Sequence, residues 1–448
     1  METIKVDFSK KIKSFKEVNG VNNGPGLKKG GLDSSRFFSE LDIHYSRLHD
    51  TNLLSPRHFV DFYRIFSDFS KDADDPANYD FRFTDRLIQK LLALNVNIIY
   101  RLGPSATLKN EDNHASFPCD VEKLAKVFMH IVDHYVGGWG NGFHYPIRMW
   151  EFWNEPDLPQ FLKETDETFF ELYRLFSLEA KAKYPDLQIG GCAFSCGTSP
   201  RAEHFLDFVK ANDLPLDFFS FHKYASSPDA IKEHIYNAKE LLIAKGFGNV
   251  PTVFDEWNFN INFGDRLNES YLHIGRINGA CLTAGGLCEL QKGPVDIATY
   301  YDMQTNYMML CYNGIYWSDG FRLIRKKPYY AFLYFKKLKE LGTEVFISDL
   351  PDVYTLAASD GEHHRMMITN FSFEKPAERT VSLDVAGNGT QDVAQDRAQD
   401  ASQDGTHGFT HMSVYITDKH NTDRCIYEGA PCQTLVLPAN SIQYIEFS

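Results

Sequence analysis

Two glutamates stand where paired carboxylates could do chemistry. Glu155 closes the stretch RMWEFWNEP and Glu256 closes PTVFDEWN, and each stretch reads as a strand. Two carboxyl groups facing a bond from either side suit glycoside hydrolysis. One is protonated and donates to the leaving oxygen; the other is ionised and attacks or steadies the anomeric carbon. Apolar surroundings raise one pKa and hydrogen bonds lower the other, so one residue type can fill both parts. His49 in SRLHDTN and His222 in SFHKY also end strands. There a neutral imidazole can bind a hydroxyl or orient a carboxylate. Asp50 and Asp302 end strands too, within less specific motifs. Trp150, Trp153, Trp257, Tyr300 and Tyr301 lie in or beside the same strand ends. Their faces suit the C–H faces of sugars, although each alone reads more readily as core packing.

A metal reading competes. His49, His222 and the two glutamates could meet around zinc, yet the sequence has no H-E-x-x-H pair. None of its eight cysteines forms C-x-x-C.

These residues need elements that bring them together. Residues 16–342 alternate short apolar runs with amphipathic helices. Eight strands are predicted near Val18–Val21, Ile43–Leu48, Val96–Arg101, Ile147–Trp153, Leu187–Ala193, Leu216–His222, Val250–Glu256 and Val295–Tyr301. Runs such as NVNIIY and LDFFSFH are near-continuously apolar, as in parallel strands buried on both faces. Asp120 precedes an apolar stripe from Val121 to Tyr135. Ser199-Pro200 and Ser227-Pro228 each place a capping serine before a first-turn proline. Thr84 opens TDRLIQKLLALN, and Pro328 enters the last barrel helix. Eight β–α repeats favour a (β/α)8 TIM barrel, in which strand ends converge on one mouth. No G-x-G-x-x-G follows an early strand, which disfavours a dinucleotide fold.

Residues 343–448 change texture. Short β-rich runs such as VYTLAAS, RMMITNF and QYIEFS, separated by turns, predict a C-terminal antiparallel β-sandwich. The alternating TIKVDFS predicts that residues 1–15 add a strand to it. Residues 391–406 repeat a Gln-Asp pair every four positions and read as a solvated low-complexity loop. Asp392, Asp396, Asp400 and Asp404 lack the EF-hand pattern.

The composition is that of a folded protein with a large core: 448 residues, 43% hydrophobic and 24% charged. With 46 basic against 60 acidic residues the net charge is −14, which argues against a nucleic-acid partner. No apolar run is long enough for a membrane span or a signal-peptide core. The expectation is a cytoplasmic protein with reduced thiols; a chain trimmed of its signal peptide would read the same way.

On these residues the chain resembles a clan of retaining glycoside hydrolases built on (β/α)8 barrels. The clan carries Asn-Glu at the fourth strand end and Glu at the seventh, here Asn154-Glu155-Pro156 and Glu256. It is most similar to glycoside hydrolase family 39, which includes β-xylosidases and α-L-iduronidases. HYSRLHDTN, RMWEFWNEPDLPQF, DFFSFHKYA, TVFDEWNF and KKPYYAFLYFKKL carry that similarity. The resemblance implies an exo-acting, β-xylosidase-like enzyme that cleaves plant or glycan-derived oligosaccharides by double displacement. Glu155 would be the acid/base and Glu256 the nucleophile. Asn154 would bind the sugar 2-hydroxyl, His49 would reach deeper hydroxyls, and His222 and Tyr224 would flank Glu256. Tyr301 and Trp257 complete the expected substrate-binding set, with no metal or organic cofactor. Two features depart from the β-xylosidases. Tyr300-Tyr301 is followed by DMQTN rather than an acidic loop, and Asp255-Glu256-Trp257-Asn258 resembles the nucleophile motif of family 51 α-L-arabinofuranosidases. An α-L-arabinofuranosidase and a non-catalytic carbohydrate-binding barrel are the alternatives.

Overall fold

The computed structural model describes residues 1–25, 33–48, 60–104, 115–303, 314–318, 322–387 and 406–448. Eight parallel strands close a barrel: Glu17–Asn22, Tyr45–Leu48, Asn97–Leu102, Met149–Phe152, Gln188–Phe194, Phe218–Ala225, Thr252–Phe259 and Ile297–Tyr300. They fall within a few residues of the eight apolar runs, because strands covered by helices outside and side chains inside must be apolar on both faces. Near the strand starts, Ile99, Met149, Phe218 and Val253 pack with Tyr45 and Ile297 into a small cluster. It is distinct from the large core between strands and helices. This plug floors the barrel, so polar inward residues gather at the opposite, C-terminal end.

Capping chemistry sets the helices. The side chains of Asp120, Ser199 and Ser227 accept from the backbone N–H groups of Lys123, Ala202 and Ala230. One start differs from expectation. The helix Arg82–Ala93 begins two residues before Thr84, which lies buried inside its first turn. Burial of Thr84 takes its hydroxyl out of the capping position.

Among the described residues, Tyr316–Ser318 pairs with Leu323–Arg325 as a separate ribbon, and the other strands form one ten-stranded sheet. The strand Glu2–Ser14 pairs antiparallel with Thr343–Ile347 and parallel with Arg379–Ala386. The sheet is therefore mixed rather than purely antiparallel, because a strand from the far end of the chain is not bound to a hairpin's direction. Arg424–Gly429 is a further strand that no alternation announced; it is an exposed edge. Phe8 and Phe447 lie on strands with three others between them along the sheet, yet their ring centroids are 5.6 Å apart. The sheet thus curls into a sandwich around one core. Residues 391–405 of the Gln-Asp repeat lie outside the described residues. No helix among the described residues is long and apolar enough to cross a membrane.

The helices Ile277–Lys292 and Lys327–Lys339 pack on the sandwich. A Cβ on Gly285 would meet Pro228 Cγ at 2.6 Å and Tyr354 Cδ2 at 3.0 Å, so only glycine permits that approach. Tyr334 stacks on Tyr444 with centroids 5.1 Å apart and planes at 7°. Tyr444→Ala is expected to cost about 3–5 kcal/mol of stability in urea melts, and Tyr444→Phe far less. A loss below about 1 kcal/mol for alanine would show that this stack does not hold sandwich to barrel.

Candidate active site

The seventh barrel strand carries two neighbouring acids, and simple alternation would turn one of them outward. Its pairing with the sixth strand resolves this. Phe254 pairs with Phe221 and Glu256 with His222, leaving Asp255 as an extra residue at a register shift. Such a bulge resets the side-chain alternation. Asp255 and Glu256 both turn into the barrel, and both touch Arg47.

Glu155 is aimed differently. The fourth strand ends at Phe152, and Glu155 lies three residues beyond it. Trp153 and Glu155 adopt positive φ of 67° and 46°, conformations that non-glycine residues rarely hold. Backbone bonds lock the turn: Trp153 N–H donates to Leu102 O at 2.7 Å and Glu155 N–H to Ala193 O at 2.8 Å. The indole of Trp153 donates to Phe161 O at 3.2 Å.

At the centre lies Arg47, fully buried. Its Nε donates to Glu151 Oε2 at 2.6 Å and lies 3.1 Å from Asp255 Oδ2. Its Nη1 donates to Glu256 Oε2 at 3.1 Å and Asn22 Oδ1 at 3.2 Å, and Nη2 to Asn154 Oδ1 at 2.9 Å. Burial disfavours the charge on Arg47, but the acidic groups around it, Glu151 foremost, outweigh burial and hold the guanidinium protonated. The second oxygen of Glu256 accepts from the Tyr224 hydroxyl at 2.5 Å. His222 Nδ1 is 3.0 Å from Glu155 Oε1 and 3.7 Å from Glu256 Oε2, while its Nε2 is 3.4 Å from Asp255 Oδ1. A carboxylate oxygen of Glu155, one of Glu256 and a ring nitrogen of His222 all lie within 4.8 Å of one another. Among the described residues, this is the group of three or more such side chains that could also hold a metal ion.

Glu155, Glu256, Asn154, His222 and Tyr224 therefore meet at one mouth. Tyr301 is half-buried at its rim, with its ring centroid 6.5 Å from that of Tyr224. Trp257 does not join them. It follows Glu256 on the strand and so faces the opposite side, buried against Gly286 and Tyr300 under the helix Ile277–Lys292. Trp150, Trp153 and Tyr300 are likewise fully buried. Asp302 accepts from Asn23 Nδ2 at 3.3 Å. His49 and Asp50 lie outside the described residues. Reasoning from sequence missed Arg47, Glu151 and Asn22, and met Asp255 only as part of a motif. The available signal was a lone charge inside a four-residue apolar strand: Arg47 in YSRL and Glu151 in MWEF.

The sequence profile described as Glycosyl hydrolases family 39 matches residues 28–271. A β-xylosidase from Geobacillus stearothermophilus is 25% identical over 364 residues, covering 73% of this chain and 68% of the relative. A glucosidase structure from Croceicoccus marinus superposes with a TM-score of 0.72 at 19% identity, covering 100% of this chain and 99% of that one. A family 39 β-xylosidase from Caulobacter crescentus gives 0.67 at 21%, covering 100% of both chains. These two likenesses establish the fold.

The cluster makes a test of Arg47. Arg47→Met leaves three buried carboxyls without their cation and is expected to cost about 3–5 kcal/mol in thermal or urea unfolding. Arg47→Lys keeps the charge but loses the planar fork, and kcat/KM should fall about 100-fold with the fold intact. Full activity in the lysine variant would show that the fork does not position the site.

Proposed function

The chain belongs to glycosyl hydrolases family 39 and is a glycoside hydrolase, and from that premise we propose that it is an exo-acting β-xylosidase that retains configuration. The observation that carries the mechanism is the spacing of the two carboxylates, with oxygens of Glu155 and Glu256 within 4.8 Å. Retaining enzymes hold the pair about 5–5.5 Å apart, whereas inverting enzymes need roughly 6.5–9.5 Å to admit a water between carboxylate and sugar.

In the first step Glu256 Oε attacks the anomeric carbon while Glu155 protonates the leaving oxygen, and a glycosyl ester on Glu256 forms. Arg47 and Tyr224 each hold one oxygen of Glu256. These contacts fix its line of attack. In the second step Glu155, now a carboxylate, takes a proton from water. The water oxygen attacks the same carbon and the ester bond to Glu256 breaks. His222 beside Glu155 Oε1 orients that carboxyl group through both steps. The Asn154 amide has its oxygen tied to Arg47, which fixes the orientation of its NH2 edge, the donor assigned here to the sugar 2-hydroxyl. Every one of these groups is a side chain of this chain, so the sequence of steps calls for no cofactor. The identity of the sugar rests on the β-xylosidase relative.

Nitrophenyl β-xyloside should be cleaved, and nitrophenyl α-L-arabinofuranoside less well; chelator treatment should leave the rate unchanged. Glu256→Ala should lose at least roughly 10⁴-fold in kcat. Glu155→Ala should lose about 10²–10⁴-fold in kcat/KM on a poor leaving group and much less on nitrophenol, which departs without an acid, while kcat falls on both because the second step loses its base. Azide should restore turnover to both variants with opposite stereochemistry: a retained glycosyl azide from Glu155→Ala and an inverted one from Glu256→Ala. Normal turnover in either variant, or activity that needs an added metal, would overturn the assignment.

A further inference from the structure

Three carboxyl groups surround one guanidinium inside the barrel, and Glu151 and Asp255 are both fully buried. They face the same Nε of Arg47, and three of their four carboxyl oxygens, Glu151 Oε1 and both of Asp255, are buried with no hydrogen-bond donor among the described residues. Two ionised carboxylates cannot hydrogen-bond, since neither has a donor. A proton between them turns two charges into one. We infer that Asp255 is a positioning residue that remains a neutral carboxylic acid: its O–H donates to Glu151, and the pair presents Arg47 with a single negative charge. This deepens the proposed function, because it rests on reading Glu256 as the nucleophile.

The surroundings decide which member keeps the proton. Glu151 receives the Arg47 Nε–H at 2.6 Å. Burial opposes ionisation of Glu151, but the adjoining Arg47 charge holds its carboxyl below the usual range. Asp255 has the longer contact to Arg47, and burial together with the Glu151 charge pushes its carboxyl well above the usual range. The ionisable groups facing this pair are Arg47 and Arg101 from the second and third strands, His222 and Tyr224 from the sixth, and Glu256 from the seventh. Asn22 and Thr299, from the first and eighth, are uncharged; Asn22 holds the Asp255 carbonyl at 2.6 Å. Arg101 gives its Nη1 to Pro104 O at 2.8 Å.

The consequence lies at Glu256. A second negative charge on Asp255 would draw Arg47 away from the nucleophile and loosen its hold on the Glu256 oxygen. Neutral Asp255 leaves Arg47 shared between Glu151 and Glu256, and its second oxygen, 3.4 Å from His222 Nε2, adds no charge behind the acid/base.

Asparagine copies a protonated aspartate in shape, in neutrality and in setting a donor beside a carbonyl acceptor. Asp255→Asn should keep kcat/KM within about 5-fold of wild type with the same pH–rate profile, whereas Asp255→Ala should lose about 100-fold. The infrared difference spectrum, wild type minus Asp255→Asn at neutral pH, should show the C=O stretch of one protonated carboxyl group. An asparagine variant that melts like wild type but loses as much activity as alanine would overturn the inference, as would absence of that band. Should the variant fail to fold, neutron diffraction of the wild-type protein reads the same proton directly, and its absence from the pair overturns the inference. Failure of the proposed function is separate: wild type would then cleave no glycoside, while the infrared and neutron results would stand alone.

Discussion

A fully buried guanidinium is the constraint on which the rest depends. Taking Arg47 out of water costs several kcal/mol unless every donor is met. Its partners come from the first, fourth and seventh strands and from the turn after the fourth. Only closure of the barrel assembles them. The apolar plug beneath keeps water out from one end, and the bulge in the seventh strand supplies two acids where alternation would supply one. The same contacts that satisfy Arg47 fix Glu256 and Asn154. Structural need and the geometry of the mouth are thus met by one set of bonds.

Much of the fold was legible because burial leaves a plain mark. Strands apolar on both faces stand out, and serine before proline marks helix starts such as Ser199 and Ser227. Glu155 was legible through its motif, and Glu256 through its place at the end of an apolar run. Arg47 and Glu151 were not. Each is a single charge within a short strand, and only the register between strands shows that they face one another. The bulge was illegible for the same reason, since it exists only in the pairing of the sixth and seventh strands. Trp257 was drawn to the site by its proximity in sequence to Glu256, yet adjacent residues on a strand face opposite ways. The parallel seating of Glu2–Ser14 depends on where the chain returns after the barrel, which no local pattern records.

Left-handed backbone marks the turn that aims Glu155. Trp153 and Glu155 hold left-handed backbone conformations on either side of Asn154, and bonds to the third and fifth strands keep them there. A flexible loop would set the acid carboxyl group less firmly against His222. The sandwich lies outside this machinery. It packs on the two last barrel helices, and the N-terminal strand ties the beginning of the chain to its end.

The central claim is that the buried cluster holds Glu155 and Glu256 close enough for double displacement. Proton NMR of the sugar first released from an aryl β-xyloside, recorded before mutarotation, tests it most directly. The account predicts the β anomer as the initial product, giving way to the equilibrium mixture later. Initial appearance of the α anomer would contradict it, because inversion needs a water where the structure places the carboxylate of Glu256.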